Sequence, residues 1–339
     1  MSSESVPPRL SAPIIRLNAD GSVSPSITVD FGTPAPSPQS LPPTLPTTLS
    51  QTLDLALRRA PPSHLWHYTS ADGLISILKS RQIWASHIAF LNDTTEIEHA
   101  VDYAKHAVSN RLNQKDLSPE DRRTLEEMAS ACGSAAKRYY VASFSEDQDL
   151  LSQWRAYCPS GGGYSLGLSS EHLMAVALDQ DFLLAPCIYD HESQYRIMRE
   201  FAESFLGIYR SRTRNTEDQV KLRATIAWEF AQHVTRFGPT LKHPTFREER
   251  EWRLISPMLQ EPHQQLDFRG TPNRVVPFCR FRLATESHPD LVRPGPNQLT
   301  VIVGPTSDRD SSGMAIQFLM TTLFGTSRFG SSGIPFRAW

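Results

Sequence analysis

Three short blocks of this 339-residue chain hold the residue types that can do chemistry. His67, Tyr68 and Thr69 sit in an otherwise apolar run just before a helix start; Ser145, Gln153, Trp154, Arg155 and Tyr157 lie in the segment from Phe144 to Tyr157; Glu249 and Glu251 lie in Phe246 to Arg253. On a strand, His67 and Thr69 share one face while Trp66 and Tyr68 share the other, so two polar groups can line a cleft wall with aromatic rings behind it. On a helix, Gln153 and Tyr157 are four apart and Trp154 and Tyr157 three apart. That face can stack a flat aromatic ligand while an amide or guanidinium holds a phosphate. If a strand begins at Glu249, then Glu249, Glu251 and Arg253 point one way and Trp252 and Leu254 the other. A carboxylate so placed stabilises the oxocarbenium charge that develops as a glycosidic bond breaks, and Glu251 is favoured over Glu249 for that role. Each group also has an ordinary use: a strand histidine as a rim residue, the leucines and aromatics of the second block as core, and the Arg-Glu-Glu-Arg-Glu run as surface ion pairs.

These residues need elements to hold them. Leu65–Thr69 reads as a strand, and Ser70 as the cap of a helix over Asp72–Lys79 whose Leu74, Ile75, Ile77 and Leu78 form an apolar face. A strand over Gln82–Ile88 leads to a polar cluster, Asn92, Asp93 and Glu96, that serves as turn and helix cap, with Thr94 or Thr95 the capping residue. Ser118-Pro119-Glu120-Asp121 opens another helix, with Pro at its first position and acids against the dipole. Tyr139–Ser145 alternates as a strand and Asp149–Tyr157 has helical spacing, closed by Cys158-Pro159. Gly161-Gly162-Gly163 forms neither a dinucleotide nor a P-loop fingerprint. Strands follow at Tyr164–Leu168, Phe182–Tyr189, Trp252–Ser256, Arg274–Phe281 and Leu299–Val303, with a helical insert at about 191–235 and a last helix near Asp310–Leu323. Helices around a mostly antiparallel, strand-rich centre predict an α+β fold, and no period of twenty to fifty residues repeats.

The blocks His67-Tyr68-Thr69-Ser70, Leu91-Asn92-Asp93, Phe144-Ser145-Glu146, Gln153-Trp154-Arg155 with Tyr157, and Glu249 to Arg253 resemble an uncharacterised bacterial domain-of-unknown-function family over roughly residues 65 to 337. More remotely, the order histidine, aromatic-rich polar segment, glutamate resembles the ADP-ribosyltransferase fold, in which His, Tyr or Ser, and Glu from three strands surround NAD. That resemblance implies a split, mostly antiparallel sheet and NAD as substrate. His67 would hold the adenosine-side ribose, and Tyr68, Thr69, Ser145, Gln153, Trp154, Arg155 and Tyr157 would contribute to the NAD site. Glu251 and Glu249 would be the catalytic carboxylates. It also implies a macromolecular acceptor, protein or nucleic acid, and a role such as a toxin or anti-phage defence factor. The alternatives are an NAD glycohydrolase and a non-catalytic ligand-sensing or interaction module.

Bulk properties narrow the field without choosing. Lys plus Arg is 34 against Asp plus Glu 36, a net charge of −2, which lacks the overall basic footprint of a nucleic-acid binder. Four scattered cysteines with no C-x-x-C pair argue against structural zinc and for buried thiols in a reducing cytosol, and no metal is expected. No apolar run reaches the roughly 18 residues of a membrane span, so the expected location is cytoplasmic, with secretion as an effector the alternative. Residues 1–50 hold ten prolines and ten serines without apolar period, which predicts a disordered tail ahead of one α+β domain over 51–339. A short helix capped by Ser50 through Leu53–Leu57 is expected to open that domain. No G-x-S-x-G elbow, H-E-x-x-H or kinase set is present.

Overall fold

The computed structural model describes residues 59–91, 96–134, 138–159, 162–214, 217–259, 263–271, 273–289, 299–325 and 328–335. All belong to one compact unit, Leu45–Trp339. The expected tail, the Ser50 helix, Asn92, Asp93, the Thr94 or Thr95 cap and Gly161 lie outside the described residues.

In chain order the strands are β1 (His64–Thr69), β2 (Gln82–His87), β3 (Tyr140–Ser145), β4 (Tyr164–Ser169), β5 (Leu183–Pro186), β6 (Glu251–Ile255), β7 (Leu266–Gly270), β8 (Val275–Arg282), β9 (Thr300–Val303) and β10 (Phe329–Ser331). The helices are α1 (Ala71–Ser80), α2 (Glu96–Leu112), α3 (Pro119–Ser134), α4 (Leu151–Tyr157), α5 (Ser170–Leu178), α6 (His191–Thr213), α7 (Gln219–Phe237) and α8 (Arg309–Phe324). The fold is mixed α+β around an open sheet that is antiparallel except where β9 meets β10. Its order is β10-β9-β4-β1-β3-β2-β8-β7, with β6 and then β5 branching from β3.

Local sequence explains the joints. Ser70 accepts the backbone N–H of Gly73 at 3.1 Å and Asp72 stands in the first turn, which starts α1 directly after β1. Asp190 does the same for α6 through Ser193 N–H at 2.9 Å. The two long helices α6 and α7 form the expected insert and pair with α2 and α3 around Phe201, Phe205, Tyr209, Phe230 and Met128, a core of their own. The sheet buries Leu65, Phe144, Leu166, Trp252, Leu254 and Phe281 against Leu74, Leu78, Leu173 and Met320 of α1, α5 and α8. A helix over 170–178 and the strands β7 and β10 were not anticipated, because each is short and carries weak apolar periodicity.

Candidate functional site

Strand β3 organises the polar residues. Along one edge it pairs with β6, Ser143 opposite Arg253, Phe144 opposite Trp252 and Ser145 opposite Glu251. Its other edge is shared: β1 meets it at Trp66 opposite Ser145, and β2 at Ser86 opposite Val141. Directly opposed residues of antiparallel strands point to the same face. Trp66, Ser145 and Glu251 therefore stand in one row on one face. Phe144 and Trp252 belong to the core on the other face.

On the first face lies a buried network of charge. Lys242 Nζ donates to Glu249 Oε2 at 2.6 Å and to Glu251 Oε2 at 2.5 Å. Arg253 adds a fork onto Glu251, Nε to Oε1 at 2.9 Å and a terminal nitrogen to Oε2 at 3.1 Å, and donates to Pro239 O at 2.6 Å. Glu251 and Arg253 share the face because they are two apart on β6. The carboxylate of Glu251 also has the Cys187 thiol at 3.8 Å, and its backbone N–H donates to Tyr189 Oη at 2.9 Å. Burial by itself would raise the Glu251 pKa, but Arg253 and Lys242 outweigh it and bring it to about 2. Burial likewise opposes charge on Lys242, and Glu251 and Glu249 overcome it to hold the pKa above the ordinary lysine value. Tyr157 is near enough to feel these charges: burial, then the charge of Glu251, pushes its hydroxyl up to about 12.

The Phe144–Tyr157 block is bound to this end of the sheet by its own polar groups. Ser145 Oγ donates to Glu249 O at 2.8 Å and accepts Asp147 N–H at 3.1 Å. Tyr68 Oη donates to Asp147 O at 2.7 Å and accepts Leu150 N–H at 3.0 Å, and its ring lies edge-on to Trp154 with centroids 4.6 Å apart. Trp154 Nε1 donates to Asp149, whose carboxylate also accepts from Ser332 Oγ and Gly333 N–H. Trp66 covers Gly167 so closely that a Cβ there would meet its ring at 2.5 Å. Tyr68, Ser145 and Trp154 thus spend their polar atoms on fixing the segment that carries α4. Gln153 is buried, and Arg155 and Tyr157 are exposed in the last turn.

Three placements differ from the sequence reading. Glu249 does not begin the strand: it ends a 3₁₀ helix over Pro244–Glu249, and Arg250, at φ 42°, turns the chain into β6. Lys242 brings the two carboxylates together all the same. His67 does not share a cleft with Glu251. Its ring packs on Phe144 with centroids 5.6 Å apart, on the opposite face of the sheet, and its Nδ1–H donates to Ser143 O at 2.9 Å, where β1 and β2 part. Burial lowers its pKa against the effect of that hydrogen bond, and the charge of Arg269 lowers it further. Thr69, rather than lining a wall beside His67, lies against α1, where only a glycine at position 73 leaves room for its hydroxyl.

Lys242, Cys187 and Tyr189 were missed by sequence reasoning. Lys242 carried a signal, since it is one of only six lysines and precedes the acidic block by a few residues. Cys187 and Tyr189 reach Glu251 from the segment after β5, a contact between residues more than sixty apart. Among the described residues no group of three or more His, Cys, Asp or Glu is arranged to hold a metal ion. No described helix is long and apolar enough to cross a membrane.

Residues 153–254 match a family described as "Protein of unknown function (DUF2971)". The match begins in α4 and ends in β6, so it spans both Tyr157 and the paired carboxylates but not β1. No curated protein and no solved structure matches the chain.

Proposed function

We propose that the protein binds NAD beside Glu249 and Tyr157 and cleaves the nicotinamide–ribose bond, passing ADP-ribose to a macromolecular acceptor in the manner of an ADP-ribosyltransferase. The observation that carries this reading is the pair Glu249 and Glu251 sharing the Lys242 ammonium, with Tyr157 within reach of their charge. Glu249 is the carboxylate assigned to the ribose. Its side chain keeps 15% exposure, whereas that of Glu251 keeps 4% and both its oxygens are occupied. As the C1′–N bond breaks, its electron pair leaves with nicotinamide and positive charge develops on the sugar. The Glu249 carboxylate stabilises that charge. The acceptor nucleophile then forms the new bond to C1′ and gives up its proton to Glu249 or solvent; with water as acceptor the same step is glycohydrolysis. Lys242 and Glu251 hold Glu249 in place, the Tyr157 ring offers a stacking surface, and His67 supports the β1–β3 joint.

A sensing role without cleavage is the second reading. It is favoured by the neutralisation of Glu251 between two cations and by His67 facing away from both carboxylates. Nicotinamide release by purified protein separates the two. Glu249→Gln is expected to lower release by on the order of a hundredfold while NAD affinity by calorimetry stays within a few-fold, because the interaction is strong only in the transition state. Release only in the presence of cell extract indicates transfer, and release in buffer alone indicates glycohydrolysis. NAD binding without release leaves the sensing role, and neither binding nor release ends both readings.

A further inference from the structure

The chain segment that leads from β5 into α6 forms, with the turn before β6, a cavity of about 550 Å³. Four arginines line it from three separate parts of the chain: Arg59, Arg196 on the first turns of α6, and Arg247 and Arg250 around the 3₁₀ turn. The acidic lining residue is Asp190, whose carboxylate is committed to capping α6 through Ser193 N–H at 2.9 Å. Two of the arginines have partners at the rim: Arg59 pairs with Glu146 at 2.7 Å and Arg250 with Asp147 at 3.0 Å. Arg196 and Arg247 form no ion pair among the described residues, although both act on the Asp190 carboxyl electrostatically. The walls are firmly built. Gln194 Nε2 donates to Ile188 O at 2.6 Å and Lys242 O at 2.8 Å, and Cys187 N–H donates to Glu251 O at 2.8 Å, so the cavity backs directly onto the buried carboxylate network.

We propose that this cavity is a binding site for the diphosphate group of a nucleotide-type ligand, held chiefly by Arg196 and Arg247 with Arg59 and Arg250 at its rim. Guanidinium forks match phosphate oxygens in pairs, and Arg196 and Arg247, both exposed and without an ion pair among the described residues, leave two forks available to an anion in one open cavity. The volume is that of a small-molecule site, too large for a single inorganic ion and sufficient for a diphosphate with part of its nucleoside. None of these arginines belongs to the carboxylate chemistry proposed above. The inference deepens that reading by naming where the diphosphate of NAD would lie, yet it requires neither NAD nor cleavage.

Calorimetric titration of the full chain with inorganic pyrophosphate, ADP, ADP-ribose and NAD tests it, against Arg196→Gln/Arg247→Gln and, as a check on folding, the melting transition of each variant. Pyrophosphate and ADP are expected to bind wild type and to raise its melting temperature by mass action. Their affinity is expected to fall about tenfold to a hundredfold in the double variant and to weaken with added salt. Arg247→Lys, which keeps the charge and loses the fork, is expected to fall between wild type and the double variant. Absence of pyrophosphate and ADP binding to wild type, or equal affinity in a folded double variant, overturns the proposal. Pyrophosphate binding without nicotinamide release from NAD keeps the cavity and removes the cleavage reading. NAD cleavage with pyrophosphate affinity insensitive to these arginines does the reverse.

Discussion

The two faces of β3 and β6 put the same backbone ladder to opposite uses. One face is closed by carbon: Phe144, Trp252 and Leu254 are buried against α1, α5 and α8. The other, one residue along on each strand, carries Ser145, Glu251 and Arg253, equally buried and held by hydrogen bonds and paired charge. An apolar face is stable through area removed from water and tolerates repacking. A buried charged face gains little net stability from its pairing and is sensitive to the loss of any one partner. Specific chemistry is therefore expected on the second face, where Lys242 joins Glu251 to the partly exposed Glu249.

The sharpest contrast comes from neighbours on β6. Trp252→Ala and Glu251→Gln are each expected to cost about 3–5 kcal/mol, the first by opening a cavity and the second by leaving Lys242 and Arg253 uncompensated. Replacing Lys242, Glu251 and Arg253 together by apolar residues of similar size should recover most of the Glu251→Gln loss in chemical denaturation, a rescue unavailable to Trp252→Ala. Equal loss in the triple and single variants would argue that the network is not self-contained.

Acid titration sharpens the same comparison. Because the Glu251 pKa falls from an ordinary value near 4.5 to about 2 in the folded chain, its contribution is complete above about pH 4.5 and is lost as pH drops toward 2. The stability gap between wild type and Glu251→Gln should narrow over that window, by a few kcal/mol in all, while the gap for Trp252→Ala should not.

Ser145→Ala removes a bond to Glu249 O and leaves that carbonyl and the Asp147 N–H short of a partner, for an expected loss of about 1–3 kcal/mol in equilibrium unfolding. His67→Ala is expected to cost about 1–2 kcal/mol and to leave nicotinamide release within roughly twofold. With its folded pKa lowered, the His67 contribution is present above the free-histidine value near 6.5 and is lost as pH falls below it. A large loss of turnover in a folded His67→Ala variant would contradict the assignment of chemistry to the Glu251 face. The smallest change is expected from Arg59→Ala, which breaks a pair whose cationic side chain is 54% exposed and should alter stability by less than about 1 kcal/mol.

Much of the element order was legible because it rests on local signals. Ser70 before Leu74, Ile77 and Leu78, the proline at 119, and the alternation through Tyr140–Ser145 specify a cap, a helix start and a strand without reference to distant residues. Alternation also separated Glu251 and Arg253 from Trp252 and Leu254. It erred at Glu249, where the αL turn at Arg250 resets the chain direction, a conformation that an arginine does not advertise. Other features depended on pairing alone. The register of β1 on β3 places His67 behind the sheet from Glu251, and a shift of one residue would have reversed that. Lys242 joining Glu249 to Glu251, Tyr189 and Cys187 closing on β6, and four arginines lining one cavity are contacts between segments far apart in the chain. Sequence determined which residues could be polar and which strands could hold them; only the tertiary structure decided which of those residues meet, because side-chain period fixes a face while strand register and chain crossing fix the neighbour.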